Sequence, residues 1–418
     1  MALYLHKVGL ALLLFAASVS AQNAQRLSLR EAILIALQSN EDVLTARNEI
    51  DAAAGRVLQA GRIANPDLFV TYNEISSGLN LSGAGERDIG LSQTIEFPGK
   101  RGSRVNAAEI ELSIATLSVR RTQTLVTSRV KDLYFKALFA AEVVGNIQLT
   151  ISLLGEFLET ITQRYQAGSS TYLDVIRTKV ELTRMRNDMS GARRDHEIHL
   201  GELNVILGRP FDLPIFLTDS LSYIPVKLSM DSTVELLTRQ SATMEIASRQ
   251  VARSGALVDL TSKSYLPDFS LGIAFQKRAA RDSPPGASGY LGVNVGVSIP
   301  LWFWQGPRGD LKLAEASLGT DNVRLEATRR RIQSRISASY KTTSVAEEQL
   351  RVFSTSLLMD IEEELRAGIS AYQNNQIDVL NLLDIYRTFR TTKLEYSRAL
   401  YNISTAAAQL EAAGELPE

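Results

Sequence analysis

Two histidines stand three apart in Asp195-His196-Glu197-Ile198-His199, a helical spacing that can hold a metal ion. No third ligand accompanies them, and the remaining histidine, His6, lies in the leader, so a solvated helix face is the plainer reading and no metal site is expected. No serine or cysteine nucleophile with a base is visible, and there is no glycine-rich phosphate loop. The chain is expected to be no enzyme and to need no cofactor. Any energy coupling must then reside in another protein.

Residue type is decisive at two further places, both turns. Ala167-Gly168-Ser169-Ser170 breaks one helical hairpin with a glycine. Asn374-Asn375-Gln376-Ile377 breaks another with asparagines, which also tolerate left-handed backbone. These tips require long helices on either side to carry them.

The composition suits such helices. Of 418 residues 45% are apolar and only 7% aromatic, as expected for packing through Ala, Leu and Ile. Basic and acidic residues, 45 and 46, are interspersed with no polybasic run, which argues against a nucleic-acid surface. Residues 1–21 read as a secretory signal: Lys7, an apolar run from Val8 to Ala17, then Val19-Ser20-Ala21, with Gln22 opening the mature chain. That run is too short to cross a membrane as a helix, which takes about twenty apolar residues, and no later segment is expected to qualify. The chain has no cysteine, so no disulfide framework and no thiolate site.

Ser28 three residues before Glu31 predicts a capping box and a helix to about Arg62, stopped at Asn65-Pro66. A second box, Ser232 to Glu235, predicts a similar helix to Ser264. Each hands over to a strand at a Pro-Asp pair, Pro66-Asp67 and Pro267-Asp268, where the period changes to two. Phe269, Leu271, Ile273 and Phe275 alternate with small or polar residues, as do Leu291, Val293, Val295, Val297 and Ile299. Leu68 to Glu74 and Ile89 to Phe97 follow the rule less strictly, with Gln93 on the apolar face. Such strands carry the signature of a transmembrane barrel, and Trp302, Phe303 and Trp304 at a strand end suit an interfacial aromatic belt.

Beyond each hairpin a proline-free helical pattern runs from about Ser103 to Arg164 and from Arg308 to Ala371. Shorter return helices follow, at about Thr171–Leu207 and Ile377–Ala413. A helix of about 62 residues spans roughly 93 Å, and helices this long call for coiled-coil packing. The chain therefore reads as mainly α with a small β part, in two tandem repeats. The first, 22–207, holds a helix, a β-hairpin 66–97 and a helical hairpin 103–207. The second, 231–418, holds a helix, a β-hairpin 266–301 and a helical hairpin 308–413. Between them lies a linker, 208–230. Repeat identities include Gly90 with Gly296, Ser92 with Ser298, Phe97 with Phe303 and Tyr165-Gln166 with Tyr372-Gln373. Unpaired strand edges cannot face hydrocarbon and the smallest transmembrane barrels have eight strands, so two or more copies must pool their hairpins.

The ordered set of features resembles the TolC family of outer-membrane efflux ducts. It rests on Leu27-Ser28-Leu29-Arg30-Glu31-Ala32 through Ala36-Leu37-Gln38-Ser39-Asn40, on Pro66-Asp67, on Arg164-Tyr165-Gln166-Ala167-Gly168 through Leu173-Asp174-Val175, and on Leu382-Leu383-Asp384. The resemblance implies a homotrimer whose twelve strands form one barrel in outer-membrane lipid and whose helices form a periplasmic α-helical barrel, with 208–230 in an equatorial region. It further implies a periplasmic adaptor docked on the tips Ala167, Gly168, Ser169, Ser170, Asn374, Asn375, Gln376 and Ile377, and an inner-membrane pump. Phe97-Pro98-Gly99-Lys100-Arg101-Gly102 followed by Arg104 resembles the heavy-metal-efflux branch, with pumps of the resistance-nodulation-division type. By the same resemblance Asp174 and Tyr372 fall on positions of an inter-helix bond holding the tunnel closed, and Asp384 on an acidic aperture position. Ile377 stands where a well-known member of that family has a closing arginine, so one latch is expected to be missing here. The implied function is a passive, gated exit duct of a tripartite system for drugs or heavy-metal cations. The rivals are a periplasmic adaptor or structural coiled-coil protein, and a monomeric porin.

Overall fold

Ser28 starts the first helix as the sequence requires: its hydroxyl accepts the Glu31 amide, and Glu31 reaches back to the Ser28 amide at 2.8 Å. The helix then stops sooner than its apolar period suggests. In the computed structural model, which describes residues 25–75, 84–222, 230–278, 289–299, 308–353 and 355–415, α1 (Leu29–Ser39) and α2 (Glu41–Ala60) are separate. Asn40 separates them. It is buried, its amide donates to the Ile206 carbonyl at 3.1 Å, and its side-chain oxygen accepts the Asp42 amide at 3.0 Å. The second repeat is cut in the same way: α5 (Met230–Gln240) and α6 (Ala242–Ser264) meet at buried Ser241, whose hydroxyl bonds Glu415 at 3.0 Å. Ser232 lies inside α5, which begins at Met230, and so is not the residue that starts the helix. Both expected single helices are pairs.

The remaining elements are β1 (Gln25–Leu27), β2 (Asp67–Ile75), β3 (Ala84–Ile95), α3 (Lys100–Gln166), α4 (Tyr172–Ile206), β4 (Ile215–Leu217), β5 (Asp268–Arg278), β6 (Tyr290–Ser298), α7 (Arg308–Val352), α8 (Thr355–Gln373) and α9 (Val379–Gly414). The leader, residues 223–229 and Trp302 to Trp304 lie outside the described residues. The chain forms two compact units that cut across the repeats: residues up to Thr45 with 120–241 and 331–418, and residues 46–119 with 242–330.

In the first unit β1 pairs in parallel with β4 of the linker, two three-residue strands too short to carry a readable period. Tyr134, fully buried, places its hydroxyl 2.9 Å from the Leu27 carbonyl and 2.8 Å from Asp219. Asp219 also accepts the Leu29 amide at 2.7 Å, capping α1 from the linker. Burial and the carboxylate both hold the Tyr134 phenol above its ordinary pKa. Around this node pack Ile33, Val43, Val130, Leu203 and Leu207.

The second unit holds the four-stranded sheet, in the order β2-β3-β5-β6 and antiparallel throughout. Its register puts Leu68, Val70, Ile89, Leu91, Ile273, Phe275, Val293 and Leu291 on one face, and that face is exposed: Val295 is 76% and Leu291 72% accessible. The other face is small or polar apart from Phe69, which stands opposite Gly90. Gln93, the exception on the apolar face, sits near the helical end and donates to the Ala64 carbonyl at 2.7 Å. On the polar face Gly90 is buried where β3 crosses Phe69 and β5, leaving no room for a side chain.

The strand-to-helix junction is bolted. Gly99, at φ +98, turns the chain into α3. Lys100 donates to Asp268 at 2.9 Å and to the Leu266 carbonyl at 2.7 Å, and Asp268 accepts the Phe97 amide at 2.8 Å. Arg104 forks onto Glu96 at 2.9 and 3.1 Å and donates to the Ala60 carbonyl that ends α2. The Phe97–Arg104 motif thus fastens a strand end to a long helix.

Two expectations about the helices change. The pattern from Arg308 to Ala371 is interrupted after Val352, giving α7 and α8. And α3, 67 residues long, contains an 18-residue window of mean hydropathy 1.6, although no segment beyond the leader was expected to be apolar enough to span a membrane. Only 33% of that window is buried within the chain. Length and composition alone do not make it a span, since a helix that packs on neighbours through Ala, Leu and Val meets the same criterion.

Candidate functional site

Both helical hairpins turn through the same backbone motif. In the first, the Ser169 amide donates to the Arg164 carbonyl at 2.7 Å and Gly168 takes φ +75. In the second, the Gln376 amide donates to the Ala371 carbonyl at 2.8 Å and Asn375 takes φ +62. The return helices are capped by side chains. Thr171 and Asp174 form a capping box on α4, and Asp378 accepts the Asn381 amide at 2.8 Å on α9.

Asn375 has a function that glycine could not supply. Its side-chain oxygen accepts a bond from Arg164, which reaches across from the end of α3. The same guanidinium donates to the Tyr372 carbonyl at 2.9 Å and the Gln373 carbonyl at 3.3 Å, and lies 4.9 Å from the centre of the Tyr372 ring. Arg164 therefore closes the carbonyl end of α8, where the helix dipole favours a cation. It joins the two tips of one chain. No local pattern marks Arg164 for this role; a basic residue in the last turn before a left-handed glycine is the available signal.

Tyr372 is buried, packs edge-on against Phe157 at 5.0 Å, and sits among Leu154, Ile161, Leu365 and Leu382. Asp174 spends one oxygen on the cap, 2.7 Å from the Thr171 hydroxyl and 3.2 Å from its amide. Among the described residues no hydrogen bond joins Asp174 to Tyr372. Asp384 is exposed on α9 with no partner there. Ile377 is half-buried and packed on the core around Tyr372, so an apolar anchor stands at the position expected for a latch. Ala167, Gly168, Ser169, Asn374, Asn375 and Gln376 are exposed, and Ser170 half-buried.

One turn pair further along, Glu181 is buried and accepts from Arg387 at 3.1 Å, tying α4 to α9 across 206 positions that no local pattern connects. The histidine pair is dispersed in its contacts: His199 meets Glu202 at 3.1 Å, a carboxylate also 3.7 Å from Lys136, while burial pushes His196 below its ordinary pKa. Nothing in this arrangement resembles a catalytic constellation. What it offers is a pair of stiff helical tips, cross-braced, with carboxylates and amides facing outward.

Residues 32–209 and 234–414 match the family model described as outer membrane efflux protein. The cobalt-zinc-cadmium resistance protein CzcC of Cupriavidus metallidurans is 22% identical over 92% of this chain and 89% of its own length. Among solved structures, the outer membrane protein VceC of Vibrio cholerae superposes with a TM-score of 0.75 at 16% identity, covering 93% of this chain and 96% of that one. The Campylobacter jejuni CmeC outer membrane channel gives 0.74 at 15%, covering 93% and 85%.

Proposed function

The chain belongs to the outer membrane efflux protein family, and from that premise we propose that it works as a homotrimer, three copies of the four-stranded sheet closing one barrel of twelve strands. It is an outer-membrane efflux channel, a passive conduit with its helices in the periplasm. The observation that supports the trimer is the sheet itself, apolar and exposed on one face and open at both edges, β2 and β6. In lipid the apolar face is satisfied and the edges are not, since each unpaired backbone group costs several kcal/mol there. Repetition of the same sheet is the simplest closure. The helical hairpins of residues 103–207 and 308–413, linked through 208–230, would then wall a periplasmic barrel.

The exposed tips, Ala167–Ser170 and Asn374–Ile377, are the surface for a periplasmic adaptor, with an inner-membrane pump of the resistance-nodulation-division type behind it. The substrates are drugs or heavy-metal cations; the extensive match to a cobalt-zinc-cadmium resistance protein favours the cations. Asp174, Tyr372 and Asp384 form the gate. Three copies of Asp384 around a narrow aperture would attract cations and resist anions. The second oxygen of Asp174 lies 4.0 Å from Arg177, so a closing bond to the Tyr372 hydroxyl would compete with that ion pair.

Two measurements test this reading. Detergent extracts of the outer membrane should contain a species of three times the chain mass that falls to monomer on heating, and a soluble periplasmic monomer would overturn the assembly. Planar-bilayer conductance of Tyr372→Phe combined with Asp174→Ala should rise above the parent. Equal conductance would remove the latch assignment.

A further inference from the structure

The base of the sheet carries the same chemistry twice, but within one chain only half of it is used. Pro267-Asp268 opens β5, and the Asp268 carboxylate is taken by Lys100 at the start of α3, closing the seam between β3 and β5. Pro66-Asp67 opens β2 in the first repeat. Asp67 is exposed and its carboxylate has no partner among the described residues. At the start of α7 stands Arg308, also exposed and also without a partner among the described residues, and it is the only basic residue between Gly289 and Asp310.

Asp67 opens β2 and Arg308 opens the helix that follows β6, the two edge strands being separated by three strand intervals or about 14 Å, and no contact joins Asp67 to Arg308 among the described residues. An ion pair needs its charged atoms within about 4 Å. A second copy removes the obstacle, because the β6 edge of one chain then lies beside the β2 edge of the next.

We propose that Arg308 pairs with the partner subunit's Asp67, locking the β6–β2 seam between copies as Lys100 and Asp268 lock the β3–β5 seam within one. This rests on the barrel reading above. The repeat also sets a register. Ser92 lies opposite Gly272 in the internal seam. Ser298 is the repeat equivalent of Ser92, and Thr71 occupies in β2 the place of Gly272 in β5, counted from the opening Pro-Asp pairs. Ser298 should therefore lie opposite the partner's Thr71. The two pass an independent check, since both belong to the small, polar face of the sheet. Arg308 opens α7 as Lys100 opens α3, although it stands two residues beyond the counterpart of Lys100 if the Phe97–Phe303 spacing is kept.

Full-length protein in its detergent-extracted state provides the test. Asp67→Arg and Arg308→Asp should each lower the temperature at which the SDS-resistant trimer dissociates, and the combined swap D67R/R308D should restore it. Single variants with the parent's dissociation temperature, or a double variant no better than the singles, would overturn the ion pair. Because the chain has no cysteine, Thr71→Cys with Ser298→Cys should cross-link copies under mild oxidation. Tyr72→Cys with Ser298→Cys, on opposite faces, should not. Cross-linking without charge-swap rescue would retain the seam and remove the ion pair. A parent that is monomeric by mass would instead overturn the trimer reading on which both depend.

Discussion

Arg164→Ala should open the periplasmic end of the channel, with single-channel conductance in planar bilayers rising well above the parent while the trimer remains intact. Its guanidinium holds two main-chain carbonyls at the end of α8, the Asn375 side chain and the face of Tyr372. Hydrogen bonds of a charged group contribute about 1.5–3 kcal/mol each when buried. At this half-buried site water competes for the same acceptors, so the whole set is taken as about 2 kcal/mol, near the lower figure for a single such bond. Since about 1.4 kcal/mol is tenfold in an equilibrium, the tips should separate roughly 30 times more often. Arg164→Lys should restore little, because a point-like ammonium cannot bridge the same acceptors. Asn375→Gly removes only the side-chain bond and should fall between. Parent-like conductance in Arg164→Ala would mean that the tips are held by packing around Tyr372 alone.

The second large effect is expected in the sheet. A methyl added at Gly90 would stand 2.6 Å from the Ile273 carbonyl oxygen, 2.7 Å from the Phe69 ring and 2.8 Å from the Ala274 side chain. The ring could swing away, but the carbonyl belongs to the β3–β5 ladder and cannot. Overpacking of this kind costs about 1–3 kcal/mol, and a backbone clash belongs at the upper end. Gly90→Ala should therefore sharply reduce heat-stable trimer in the outer membrane. Phe69→Ala in the same chain should restore only part of it. Two other glycines calibrate the result. At Gly296, the repeat equivalent, the principal obstacle is the Ser270 hydroxyl, which can rotate, and at Gly292 the nearest atom is 3.8 Å away, so alanine should be mild at the first and tolerated at the second. Equal loss at all three sites would point to β-propensity or insertion and away from the Gly90 clash.

Much of the fold was legible because its periods are long and clean. Alternation in β5 and β6 and the Pro-Asp pairs marked the strands, and Gly168 and Asn375 marked the tips. The breaks at Asn40 and Ser241 were not legible, because each follows from a polar side chain bonding a residue far along the chain, Ile206 in one case and Glu415 in the other. The β1–β4 pair was missed because three residues are too few to show a period. At the tips, the residues singled out in advance were the ones that turn the chain, whereas the residue that ties the tips together, Arg164, acts across 211 positions on Asn375.

The sequence by itself determined the repeat, the order of hairpin and helices and the apolar face of the sheet, and strand counting makes assembly the expectation. Each of these depends on local period or on the rule that hydrocarbon tolerates no unpaired backbone. Only the tertiary structure decided which charges are already satisfied within a chain. Lys100 and Asp268 close one seam, while Asp67 and Arg308 have no partner among the described residues. That distinction is invisible in sequence because all four residues look alike in their repeats; register and strand order alone separate the pair that meets from the pair that waits for another copy.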